Sequence, residues 1–326
     1  MNWFYPVFQI PVRLALKIYV KKLRTNLPEA FSLEGPLLLA CNHPNSFADA
    51  VLLSAWFKHP IHSLARGDAF KNPLHARLMS LLHMHPIYRT SEGAENLGQN
   101  YQTFEICKEV FKQKGIVLIF SEGLCINEWH LRSLKKGTAR LAVNAWEAGI
   151  PLKVLPVGFN YHSFKSAEKI MHVNFGKMME MPADLNELSD GKKLLQFNEK
   201  LKNALSEVVH EIPKGDAEKA RSIFKYEPNV ILKIFLALPA AIGWLIHYPI
   251  FKIIDRFVKL KAAGSGHANS ILLGILFFSY TVFLLLVNIL LAFFIGWYSL
   301  LTWIILPFFA YCMVQVKSTK YFAAWQ

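Results

Sequence analysis

From Ala262 to Val316 the chain carries no Asp, Glu, Lys or Arg, a run of 55 residues. A soluble core rarely extends that far without a charge, whereas a bilayer needs only ~20 apolar residues for each helical pass. Within the run, residues 271–315 are almost wholly apolar, which is room for two passes at about 271–294 and 299–315. Gly296-Trp297-Tyr298-Ser299 separates them, a helix breaker beside aromatics that suit a membrane interface. Lys252, Arg256, Lys259 and Lys261 precede the pair, and Lys317 and Lys320 follow it. Basic residues at both ends put both ends on the cytoplasmic side. The expectation over 262–326 is a transmembrane helical hairpin with a short tail.

Two further stretches point to a membrane. Residues 231–254 are apolar but contain Lys233, Pro239 and Pro249. A single crossing there would carry the basic cluster at 252–261 to the outer side, so 229–261 reads as a kinked interfacial or re-entrant segment with a basic flank. At the other end, Arg13, Lys17 and Lys21 fall at i, i+4 and i+8, with apolar residues around most of the remaining surface. That pattern predicts an amphipathic helix over 1–24 lying among anionic headgroups. It does not read as a cleaved signal peptide, because no basic region precedes the apolar part and no small-residue cleavage site follows.

The net charge of +13 divides accordingly. Residues 229–326 hold seven Lys and Arg against one acidic residue, a large share of the excess in a short, apolar part of the chain. Basic charge spread this way marks membrane flanks, and no aromatic-interleaved basic patch suggests nucleic acid. The four Cys (41, 107, 125, 312) are too dispersed for a disulfide framework or a zinc site and fit a reducing compartment. His83-x-His85 and His59-x-x-His62 lack acidic or thiol companions, so no metal is expected.

Residues 25–228 have ordinary composition and form the expected globular domain. Apolar runs at 36–41, 61–65, 115–120, 152–157 and 170–175 read as buried strands. Helical patterns at 47–57, 74–82, 92–114, 137–148 and 192–211 alternate with them. The fold class that follows is α/β, a mostly parallel sheet with helices on both faces. Ligands of such sheets bind beyond the C-terminal strand ends, and polar clusters stand there.

The first cluster is Asn42-His43-Pro44-Asn45-Ser46-Phe47-Ala48-Asp49. Its His43 and Asp49 suit a base and the carboxylate that orients it; a purely structural loop is the other reading. The second runs from Arg66-Gly67-Asp68 through Lys71 to Pro86-Ile87-Tyr88-Arg89, with cations able to hold a phosphate. The third is Phe120-Ser121-Glu122-Gly123, followed by Lys135-Lys136-Gly137 at a helix start, a ready anion site. The fourth, Leu155-Pro156-Val157-Gly158-Phe159-Asn160-Tyr161, fits the wall of a pocket.

In this order the four clusters resemble the glycerolipid acyltransferase superfamily, which includes bacterial glycerol-3-phosphate and 1-acylglycerol-3-phosphate acyltransferases. Asn-His-Pro-Asn-Ser-Phe-Ala-Asp is similar to its His–Asp block, Phe-Ser-Glu-Gly to its usual Phe-Pro-Glu-Gly, and the segments around Arg89 and Pro156 to its second and fourth blocks. The resemblance covers about residues 30–180. It implies an O-acyltransferase of phospholipid biosynthesis, with His43 and Asp49 catalytic. Asn42, Arg66, Arg89, Glu122, Gly123, Lys136, Gly137 and Pro156 would bind substrate, and an N–H near Gly123 or Asn42 would face the oxyanion. The implied donor is acyl-CoA or acyl-carrier protein. The implied acceptor is glycerol 3-phosphate or lysophosphatidate, with another lysolipid, such as a lyso-amino-lipid, or a non-catalytic lipid-binding role as alternatives. No cofactor and no nucleic acid are expected. The place implied is a multi-pass position in the cytoplasmic (inner) membrane, the catalytic domain on its cytoplasmic face.

The sequence departs from the family pattern in three places. Five residues, Pro44 to Ala48, separate His43 from Asp49 where four are usual. The longer form also resembles fungal enzymes acting on glycerol 3-phosphate and dihydroxyacetone phosphate. Ser121 replaces a proline, and Leu124-Cys125 replaces Thr-Arg, leaving Arg132, Lys135 or Lys136 to supply the missing cation.

Overall fold

The computed structural model describes residues 4–88, 98–164, 166, 168–227, 229–262 and 265–317. In chain order its elements begin with α1 (Phe4–Tyr19), β1 (Val20–Arg24), β2 (Leu37–Cys41), α2 (Phe47–Trp56), β3 (Ile61–Arg66), α3 (Pro73–Leu81) and β4 (Met84–Ile87). There follow α4 (Gln99–Lys112), β5 (Ile116–Phe120), α5 (Lys136–Glu147), β6 (Lys153–Tyr161), β7 (Lys169–Phe175), α6 (Asp190–Ser206) and α7 (Ala217–Phe224). The C-terminal part is α8 (Val230–Ala262), α9 (Ala268–Ile295) and α10 (Thr302–Val316).

One seven-stranded sheet runs β1-β7-β6-β2-β5-β3-β4 among the described residues. The five strands from β6 to β4 are parallel; β7 is antiparallel to β6, and β1 is parallel to β7. The centre is apolar on both faces, as sheets covered on both sides require. Leu37, Leu39, Cys41, Leu118, Leu155 and Val157 join α1, α2 and α7 in one core. Leu38, Ala40, Val117, Ile119 and Val154 join α4, α5 and α6 in the other. The expected fold class is therefore the observed one.

The parallel strands end at one edge, in Cys41, Arg66, Ile87, Phe120 and Tyr161. The four polar clusters begin at these ends or lead up to them.

The N-terminal expectation needs correcting. Helix α1 stops at Tyr19, and residues 20–24 form a strand on β7, which buries Lys21. Burial draws the Lys21 ammonium down to about 8. Arg13 does not reach for headgroups either. Its Nε and Nη2 donate to the carbonyls of Ala55 (2.5 Å) and Phe57 (3.1 Å), and Gln9 donates to Ser54 (2.7 Å) and Phe57 (3.1 Å). These carbonyls at the end of α2 lack intrahelical partners, and a cation there also complements the helix dipole. Val7, Ile10, Leu14 and Lys17 are among the exposed side chains of this helix.

At the C-terminus, α9, a turn over residues 296–301 with Gly296 at φ +57, and α10 follow the expected hairpin. Helix α8 runs unbroken past Pro239 and Pro249 and packs on α10 and α9. A β-carbon on Gly243 would lie 2.2 Å from the Phe309 carbonyl oxygen, so only glycine allows α8 and α10 to approach this closely. Two segments, 230–262 and 268–316, are long and apolar enough to cross a membrane. Their most apolar stretches are only 17% and 22% buried, and Leu245, Phe293, Phe294 and Ile304 stand exposed. Apolar surface this continuous suits association with a membrane or with a partner.

Burial also predicts acid lability. His62, His83 and His85 stack where β3 meets β4, and His172 lies 3.0 Å from His210. Burial pulls His62 and His172 down to about 4 and lowers His83, His85 and His210. Unfolded histidines take up protons near 6.5. Between there and about 4 the unfolded chain binds more protons, so stability is complete above pH 6.5 and is lost as pH falls. The unfolding temperature should drop steeply from pH 6.5 to 4.5; a flat profile would count against these histidines being neutral.

Candidate active site

His43 follows β2 and packs against the ring of Phe120, the last residue of β5, with centroids 3.7 Å apart and planes 17° from parallel. Its Nδ1 lies 3.1 Å from Asp49 Oδ2, and its side chain is 15% exposed. Asp49 stands in the first turn of α2 and is fully buried. A buried carboxylate needs donors, and three surround this one. Besides the imidazole, the Asn45 N–H donates to Oδ2 (2.9 Å) and the Tyr161 hydroxyl to Oδ1 (2.5 Å). Burial and the Asp49 charge hold the Tyr161 phenol well above its ordinary value, so it remains a donor.

This arrangement fixes the imidazole chemically. With Nδ1–H directed at Asp49, Nε2 is left as the acceptor, the form that a general base requires. The carboxylate also stabilises the imidazolium once a proton arrives.

Glu122 holds the two neighbouring loops together. Its Oε2 accepts the His43 N–H (2.7 Å) and its Oε1 the Arg132 N–H (2.8 Å). Burial raises its pKa, and the two N–H donors oppose that rise. Asn42, buried beside it, exchanges two hydrogen bonds with the Phe159 backbone, 3.0 and 2.7 Å. This ties β2 to β6 beyond their ladder. Both residues were expected at substrate; here their polar atoms are engaged with the protein backbone.

The other expected site residues are distributed unevenly. Arg66 is exposed at the end of β3 and paired with Asp68 through two bonds. This guanidinium holds the Asp68 carboxyl below its usual range. Lys136 begins α5 and is exposed, with Gly137 next to it. Gly123 adopts φ +66, and a β-carbon there would meet the Lys135 side chain at 2.9 Å. Its N–H donates to the Phe120 carbonyl (3.1 Å), which removes it as an oxyanion donor. Pro156 lies against Gly176 and α6, on the sheet face opposite His43, so it is core rather than pocket wall. Arg89 lies outside the described residues.

Tyr161 and Lys169 are the additions. Tyr161 closes the fourth cluster, and the alternation of β6 places residues 155, 157, 159 and 161 on the face of His43. That parity was readable in the sequence. Lys169, at the start of β7, had no such signal. It is fully buried, donates to the Ser163 carbonyl (2.7 Å) and lies 5.9 Å from the Tyr161 ring centroid. Burial draws it down to about 7, against the pull of Glu168 and Asp49.

Residues 19–160 match the family model described as Acyltransferase. Among solved structures, the 1-acyl-sn-glycerophosphate (LPA) acyltransferase PlsC from Thermotoga maritima is similar at 14% identity and a TM-score of 0.37, over 57% of this chain and 71% of that one. No curated protein matches. The matched stretch holds the His43–Asp49 pair, Glu122 and the fourth cluster up to Asn160. The Acyltransferase match, a little under half of the chain, thus falls on the stretch that carries this site.

Proposed function

We propose that the protein is a membrane-bound O-acyltransferase of phospholipid synthesis. It moves a fatty acyl group from acyl-CoA or acyl-carrier protein to a hydroxyl of glycerol 3-phosphate or lysophosphatidate. The observation that carries this reading is the buried, triply bonded Asp49 behind the His43 imidazole. His43 Nε2 removes the proton as the acceptor oxygen attacks the thioester carbonyl carbon. The tetrahedral intermediate then expels the thiolate as the C–S bond breaks, and the imidazolium returns the proton to sulfur.

Arg66, Lys136 and the start of α5 would hold the acceptor phosphate, with Arg132 as a further cation. Arg66→Ala or Lys136→Ala should raise the acceptor KM about tenfold, the loss expected for one charged hydrogen bond, with kcat little changed. Steady-state kinetics in acceptor concentration check this. An unchanged KM in both variants would remove these cations from the site. The Arg66–Asp68 pairing leaves fewer uncommitted cations. This favours, as a second reading, a lysolipid with another headgroup.

The domain division proposed is an N-terminal segment at 1–24, the catalytic domain at 25–228, an interfacial segment at 229–261 and a membrane hairpin at 262–326. Contacts near both ends of α8 support the interfacial reading. Lys233 near its start is close enough to repel Lys21, and Val258 and Ala262 near its end pack with Leu272. The basic flanks support a cytoplasmic face of the inner membrane.

The test is direct. Purified protein with labelled palmitoyl donor is offered glycerol 3-phosphate, lysophosphatidate and a lyso-amino-lipid in parallel, and products are identified by mass. An acylated phosphate acceptor supports the proposal; acylation of the lyso-amino-lipid alone supports the second reading. Tight lipid binding without any product would sink both.

A further inference from the structure

The catalytic turn is held from outside the sheet. Five residues lie between His43 and Asp49, and the start of α9 engages them. Ser270, fully buried in the first turn of α9, donates through Oγ to the Asn45 carbonyl (2.7 Å) and accepts the Ala48 N–H (3.2 Å). His267, immediately before α9, has Nδ1 2.7 Å from Ser46 Oγ. Asn127 Nδ2 donates to the carbonyls of both Pro44 (2.6 Å) and Gly266 (3.3 Å). Gly274 lies against the Phe47 ring; a β-carbon there would sit 3.4 Å from Cζ. The Tyr19 hydroxyl donates to Asn269 Oδ1 (3.1 Å), which ties α9 to the end of α1.

The turn needs such support. Ser46 sits at φ +55 and ψ −147, a region that residues with a side chain occupy only when their surroundings hold them there. The Asn45 N–H that steadies Asp49 belongs to the same turn.

We infer that Ser270 and His267 are positioning residues of the acyl-transfer site, through which the membrane hairpin holds the widened His43–Asp49 turn. This rests on His43 and Asp49 being the reacting pair. The two residues act through the loop and leave acceptor binding alone. Their removal should therefore lower kcat and spare KM. Ser46 beside His267 also has the look of a nucleophile and its base, but Ser46 is only 8% exposed and its N–H is bonded to Cys125 Sγ (2.9 Å).

The experiment uses the full chain in phospholipid vesicles, with palmitoyl-CoA and whichever of glycerol 3-phosphate or lysophosphatidate it acylates. Ser270→Ala and His267→Ala should each lower kcat about tenfold or more, since displacing a base by an ångström costs on the order of a hundredfold. KM for both substrates should stay within about twofold. In an Asp49→Asn background, Ser270→Ala should have almost no further effect, because the geometry it maintains is already useless. Ser279→Ala, further along α9, should match wild type. Full kcat in folded Ser270→Ala and His267→Ala would overturn the inference. So would an equal loss in the Asp49→Asn background, or a covalent acyl adduct on wild-type protein that disappears in Ser46→Ala. Absence of acyl transfer by wild type, or full activity in His43→Ala, would instead strike the proposed function.

Discussion

His43→Ala is expected to lower kcat by about 10²–10⁴-fold, the usual worth of a positioned general base, while the protein stays folded and acceptor KM barely moves. His43 is partly exposed and its ring packs on Phe120, so truncation removes one stacking contact and one of the three donors to Asp49, while Asn45 and Tyr161 still hold the carboxylate and the sheet stays intact. Asp49→Asn should approach the same loss by a different route. Asp49 accepts from three donors, His43, Asn45 and Tyr161. An amide presents only one oxygen; with its NH₂ turned to the Tyr161 hydroxyl, which can accept, the imidazole keeps only a neutral acceptor. It loses the carboxylate charge that stabilises the imidazolium. Initial rates at saturating donor and varied acceptor measure both effects. Full activity in His43→Ala would remove the base from the mechanism.

Glu122→Ala carries the second-largest effect, and on two readouts at once. The carboxylate accepts the backbone N–H groups of His43 and Arg132. Its removal leaves both donors without that partner at a nearly closed site, at a cost of about 1–3 kcal/mol for each buried one. The unfolding temperature should therefore fall by several degrees. Because one of the freed groups is the backbone of His43, kcat should also drop about a hundredfold. Glu122→Gln should recover part of the stability, since one oxygen still accepts, but only part of the rate. A Glu122→Ala protein with wild-type kcat and a raised acceptor KM would mean that the side chain contacts substrate after all. Thermal unfolding and steady-state kinetics on the same preparations separate these outcomes.

Glu122 also shows where sequence reasoning succeeds and where it stops. Its position was legible, because an apolar run ending in Ser-Glu-Gly reads as a strand reaching the active edge. Its partner was not, because that depends on β5 pairing in register with β2, Phe120 beside Cys41, which brings Glu122 level with the His43 N–H. The same limit applies to Arg13. Spacing put it on a basic helical face, yet the carbonyls at the end of α2 took it up. Strand β4, with His85 and Pro86, lacks the β-branched signature; an edge position tolerates the proline. Strand β1 was masked because Lys21 continues the spacing of Arg13 and Lys17, and pairing with β7 won over that periodicity. Within the uncharged C-terminal run, His267, Asn269 and Ser270 were small polar interruptions in a segment read for its hydrophobicity. Their bonds to residues more than 200 positions earlier have no local signature.

Those long-range bonds affect the order of events during synthesis. Asn45 and Ser270 are 225 residues apart. At 5–20 residues per second, the ribosome needs roughly 10–45 s to travel from one to the other. Through that interval the strands of the sheet emerge and can pair, while the His43–Asp49 turn lacks its outer support. The turn is completed only when the first residues of the last apolar helices arrive. A nascent chain still awaiting its C-terminal apolar helices would hold an unfinished site, completed only when the start of α9 docks on the turn.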